Sequence, residues 1–130
     1  MKQKRICIDL DGVISQLKQA NETYGDVKPV DGASEKIKAL KEAGHYIIIL
    51  TARHMKTCEG NVGLVQKRVA AITLKWLEEN DIPYDEIHFG KPWADIYIDD
   101  NAYRFINWNE INDDASNLPQ SHEKSIRGDE

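Results

Sequence analysis

The sequence is poor in the groups that build disulfide frameworks, soft-metal clusters and membrane spans. It holds two cysteines and four histidines in 130 residues. Cys7 sits in an apolar run and Cys58 in a polar loop, a spacing that suits neither a disulfide framework nor a zinc site. Cys7 is expected to be a small core residue, and His45 and His122 ordinary surface residues. Basic charge is short as well. Seventeen Lys and Arg against 22 Asp and Glu leave a formal net charge of −5, which argues against a broad nucleic-acid-binding face. No long apolar segment follows Lys2, Lys4 and Arg5, so neither a signal peptide nor a membrane span is expected and the cytoplasm is the default location. There are no internal repeats.

What is present belongs to a globular α/β domain. The chain is 41% apolar and 30% charged, within the usual range for a domain with its own core. Residues 1–112 read as that domain, and 113–130 as a polar tail without periodicity. The run Ile6-Cys7-Ile8-Asp9-Leu10-Asp11-Gly12 begins as a continuously apolar strand, the pattern of a parallel sheet buried on both faces. Residues 15–29 form a flap or hairpin around the turn signal Tyr24-Gly25-Asp26. A helix follows to about Ala43, capped by Asp31 or Ser34, with Ile37 and Leu40 inward and Gly44 ending it. Tyr46 to Leu50 is a second strand. A loop through Gly63 leads to a helix over 64–80, with Val65, Val69, Ile72, Trp76 and Leu77 at helical spacing. Glu86 to Phe89 and Ile96 to Ile98 are expected as third and fourth strands. A last helix over 102–111 would carry Tyr103, Phe105, Ile106 and Trp108, its apolar face either core or a subunit contact. Alternating strands and helices predict a mainly parallel sheet of Rossmann-like topology, with helices on both faces.

The polar residues fall where such a sheet binds ligands, just past the carboxyl ends of its strands. Asp9 and Asp11 follow the first strand, Thr51 the second, Lys91 the third, and Asp99 and Asp100 the fourth. An isolated Asp-x-Asp is usually a solvated acidic turn; its repetition at successive strand exits favours a site. Converging carboxylates without a His or Cys cluster suit a hard cation, most often Mg²⁺. Lysine and threonine at the same rim suit phosphate oxygens. A carboxylate can attack phosphorus, and a second one can carry the proton.

In order and spacing, Asp9-Leu10-Asp11-Gly12-Val13, Thr51, Lys91 and Asp99-Asp100 resemble the four motifs of the haloacid dehalogenase (HAD) superfamily. The runs 53–63, 83–87 and 90–93 resemble a small subgroup of capsule-biosynthesis phosphatases. The resemblance implies Asp9 as nucleophile and Mg²⁺ ligand, and Asp11 as general acid/base with its carbonyl on the metal. It also implies Thr51 and Lys91 on the phosphoryl group, and Asp99 with Asp100 completing the metal set, their division of labour open. Leu10, Gly12, Ala52, Arg53 and His54 would line the substrate side, Arg53 by pairing with a second anionic group; for His54 an exposed polar loop residue is as good a reading. Trp93 is expected to pack its loop. No interval holds a separate cap, so the site is expected to be open, or covered by a second subunit, and suited to hydrolysis rather than transfer. The expected partner is a small phosphorylated metabolite such as a sugar phosphate, with no nucleic acid and no membrane. The alternative is a module that binds a phospho-ligand or metal and releases nothing. A receiver domain is set aside, because the exit after Leu50 offers Thr51 and no Asp; a glycosyltransferase would need a far longer chain.

Overall fold

A computed structural model describes residues 3–120. Three strands, β1 (Arg5–Asp9), β2 (Tyr46–Thr51) and β3 (Glu86–Phe89), form one parallel sheet in the order β1-β2-β3. The crossovers are α1 (Ala33–Glu42) and α2 (Val62–Glu79). Cys7 is level with Ile48, Asp9 with Leu50, and Thr51 with Phe89. That register brings all three strand exits to one edge of the sheet. Among the described residues no helix is long and apolar enough to cross a membrane.

The core lies mainly on one face. Ile47 and Ile49 are buried, as is Ile8 opposite Ile49, and Ile37 and Leu40 of α1 and Trp76 and Leu77 of α2 join them in one cluster. The other face is thinly covered: Ile48 is half-buried and Cys7 exposed. The strands therefore alternate, as sheets covered on one side do, and the expectation of double-sided burial with a core Cys7 fails. The cause lies downstream. Residues 91–107 form neither the fourth strand nor the last helix; Ile96, Ile98 and Ile106 are 66%, 96% and 71% exposed. The Asp99 and Asn107 side chains compete with helix by accepting from the Asn101 and Glu110 amides, and the aromatic and β-branched residues between them are mediocre helix formers. What remains is a single 3-10 turn at Trp108–Glu110, capped by the Asn107 side chain.

Helix starts also differ from expectation. α1 is capped by Gly32 in left-handed backbone, with neither Asp31 nor Ser34 bonding its first turn; Ser34 Oγ instead donates to the Asp81 carbonyl at 2.9 Å. α2 begins two residues early because the Asn61 side chain accepts from the Leu64 amide. His45 is buried: the Lys4 amide donates to its Nδ1 at 3.0 Å, and its Nε2 lies 2.7 Å from the Asp114 carbonyl oxygen. The polar run after 112 therefore starts as packed chain, with Ala115 fully buried. His122 lies outside the described residues.

Asp85 staples the sheet to α1. Its carboxylate accepts from Lys41 Nζ at 2.5 Å and from the Ile47 amide at 2.7 Å, and these bonds, Lys41 first, hold it below the ordinary carboxylate range. A depressed folded-state pKa stabilises above the ordinary range and stops doing so as pH falls through the lower folded value. Asp85→Asn should therefore lower the urea midpoint at neutral pH, with the gap to wild type closing as pH falls below the ordinary carboxylate range; a gap independent of pH would refute the assignment.

Candidate functional site

Asp9 ends β1, and two residues later Asp11 enters the turn that Gly12 closes. Gly12 has φ +87°, a conformation glycine adopts without strain, and its amide donates to the Ser15 carbonyl at 2.7 Å. Leu10 between the carboxylates is fully buried, so its side chain anchors the turn instead of lining a substrate.

Lys91 reaches Asp9 from the third exit, its Nζ 3.6 Å from Asp9 Oδ2. The amides of Gly90 and Lys91 both donate to the Thr51 carbonyl at 3.1 Å. Gly90 has φ +112°, and a Cβ there would meet Val62 Cγ2 at 3.0 Å, so glycine is what lets the chain pass and aim Lys91 inward. Burial raises the Asp9 pKa and the neighbouring Asp11 charge raises it further, while Lys91 opposes both.

Asp11 is held from three sides. Thr51 Oγ1 donates to Oδ2 and Arg53 Nε to Oδ1, each at 2.9 Å, and Ser15 Oγ stands 3.5 Å from Oδ1. Arg53 is 3% exposed. Its Nη1 donates to Thr73 Oγ1 at 3.0 Å, and its Nη2 to Ser15 Oγ at 3.4 Å. The guanidinium thus faces Asp11, not an incoming anion, and Thr51, fully buried, gives its hydroxyl hydrogen to Asp11, not to a phosphoryl oxygen. Ala52 is half-buried against the cluster of Met55, Cys58, Val65 and Val69. His54 has left-handed backbone (φ 60°) and a buried Nδ1 without a partner, its ring tilted against Tyr24. Trp93, expected to pack, is 57% exposed, with Lys56 Nζ 4.7 Å above its ring.

Sequence reading missed Ser15, Tyr24 and Thr73. Thr73 had a signal: it is the polar member of the stripe Val65, Val69, Thr73, Trp76 that faces inward, and a buried hydroxyl needs a partner.

The structure draws together Asp9, Asp11, Thr51, Arg53 and Lys91; it does not add Asp99 and Asp100. Both lie on the exposed segment, where Asp99 accepts from the Asn101 amide at 3.1 Å. Among the described residues no three acidic, His or Cys side chains stand together as a metal-holding group, so the set of Asp9, Asp11, Asp99 and Asp100 is not assembled. Mg²⁺ often takes only one or two carboxylates, with water and substrate phosphate as its other ligands. Asp9, partly buried and beside a like charge, fits that demand. Two open clefts, of about 530 and 250 Å³, lie elsewhere, around Lys36 and Asn112 and around Leu77 and Pro83; the Asp9 side chain is itself partly exposed.

A crystal structure of a Vibrio cholerae protein matches this chain with a TM-score of 0.72 and 34% identity, over 96% of this chain and 95% of that one. This chain belongs to that protein's family. Neither a protein-family model nor a curated protein matches it.

Proposed function

We propose that this protein is a phosphohydrolase of HAD type that cleaves a phosphomonoester through an aspartyl-phosphate on Asp9. The observation that carries the reading is the approach of Lys91 Nζ to Asp9 Oδ2 at 3.6 Å across two strand exits, beside an Asp11 whose two oxygens already accept from Thr51 and Arg53. Lys91 holds charge against the entering phosphate and against the carboxylate that attacks it. Asp11, the ionised acceptor of the Thr51 and Arg53 bonds in the free protein, takes up a proton as the anionic ester enters. Asp9 then forms a bond to phosphorus as the ester P–O bond breaks, and the leaving oxygen takes that proton from Asp11. Asp11 then removes a proton from water, which attacks the acyl phosphate; the P–O bond to Asp9 breaks, releasing phosphate and leaving Asp11 protonated for the next ester.

Mg²⁺ would be held by Asp9 and the substrate phosphate, and when bound it offsets the repulsion between carboxylate and phosphate. The substrate proposed is a small phosphorylated metabolite. A sugar phosphate from surface-polysaccharide synthesis is the substrate class suggested by the resemblance of 53–63, 83–87 and 90–93. Phosphate release from a panel of sugar and nucleoside phosphates, with Mg²⁺ and with EDTA, tests the proposal. Turnover lost in EDTA and restored by Mg²⁺ is expected. A wild-type protein inert across the panel that still binds a phosphorylated sugar would make it a binding module.

A further inference from the structure

The flap 15–29 brings Tyr24 from its tip back to the site, beyond Ser15 at its root. It is rooted by bonds from the Gln16 amide to the Lys28 carbonyl and from the Val30 amide to the Ile14 carbonyl, both 2.8 Å. Trp76 Nε1 adds a third anchor by donating to the Val27 carbonyl at 2.7 Å. Its tip is a built turn: the Thr23 amide and hydroxyl both donate to Asp26 Oδ2 at 2.9 Å. From this turn the ring of Tyr24 covers Arg53, whose guanidinium carbon lies 4.2 Å from the ring centroid.

A guanidinium is a flat plate with donors around its edge and two broad faces. Around Arg53 three of those edge donors go to Asp11, Thr73 and Ser15. Those bonds hold the plate by its edge, the Nη2 bond being the longest at 3.4 Å, and an aromatic ring on one face adds a restraint against tilting out of that plane while attracting the cation. Burial and the Asp11 charge raise the Tyr24 pKa, so the ring meets the cation as a neutral phenol.

We propose that Tyr24 is a positioning residue for Asp11: its ring clamps the Arg53 guanidinium in the plane that presents Nε to that carboxylate. Seating of the flap and orientation of the proton-carrying group are then a single event. The kinetic half of this inference rests on the phosphohydrolase reading; the structural half does not.

The test is solvent exchange of the Arg53 Nε–H, followed by ¹⁵N NMR and assigned by its loss in Arg53→Lys, together with steady-state phosphate release. In Tyr24→Leu the exchange should speed up at least tenfold and kcat should fall at least tenfold, with KM within threefold. Tyr24→Phe, which keeps the ring, should bring both back to within about threefold of wild type. If Tyr24→Leu does not fold, Tyr24→Met carries the same comparison with a flexible apolar side chain. Unchanged exchange in the Leu or Met variant overturns the clamp whatever the assay shows. A Phe variant as impaired as Leu overturns the role of the ring face, and a rise in KM alone overturns positioning in favour of substrate contact. Wild type inert on every ester, with exchange still accelerated in Tyr24→Leu, supports the clamp and ends the hydrolase reading.

Discussion

Asp9→Asn should abolish phosphate release, with a loss on the order of 10⁴-fold or more, as for removal of a covalent nucleophile, and yet leave the protein no less stable. The second half follows from the sign of the Asp9 shift. Its folded-state pKa is raised, by burial first and by the Asp11 charge. The native state therefore binds more protons than the unfolded chain as pH rises past the ordinary carboxylate range, and stability falls through that window. An amide carries no such penalty at neutral pH. Lys91→Met should also slow turnover, by pushing the Asp9 shift further in the same direction. Without the ammonium 3.6 Å away, Asp9 ionises at higher pH, so the acid limb of kcat/KM moves upward and the rate drops by about 10²-fold. Thermal melts and phosphate-release profiles between about pH 4 and 8 read both. An Asp9→Asn variant with residual turnover near wild type would remove Asp9 from the mechanism.

Arg53→Met should be the most damaging single change to stability in the site. The guanidinium is buried and Asp11 only partly exposed, and removing one partner of such a pair leaves the other charge without compensation. The loss should be about 3 kcal/mol, the lower end for a broken buried pair because water still reaches Asp11. For a chain of this size that is a drop of about 10 °C in Tm. Adding Asp11→Asn should recover part of it, since the stranded charge is then gone. A single-variant loss below about 1 kcal/mol would mean that the pair contributes no more than an exposed ion pair.

The parts of this site that could be read in the sequence are those set by strand exits. Asp9 and Thr51 end apolar runs and Lys91 follows the short strand Glu86–Phe89, and parallel pairing with one register brings them to a common edge. Partner choice could not be read in the same way. Arg53 looks like a free cation after a strand, and only folding shows that Asp11, Ser15 and Thr73, distant in the chain, take its edge while Tyr24 takes a face. The fourth strand failed for a related reason. Ile96-Tyr97-Ile98 has the composition of a strand, but a strand exists only where an edge accepts it, and in the described structure it pairs with none. His45 was misjudged because polarity suggested the surface, whereas each ring nitrogen meets a backbone group from a different segment.

The two indole anchors give the protein a built-in optical gauge. Trp76 and Trp108 are each 2% exposed and donate to the carbonyls of Val27 and Val13, close to the roots of the flap, while Trp93 stands in solvent. Emission at the blue end of the fluorescence spectrum thus reports on the seating of the flap, and quenching by iodide selects Trp93. A single cuvette can separate movement over Asp11 from events at the outer rim without any label.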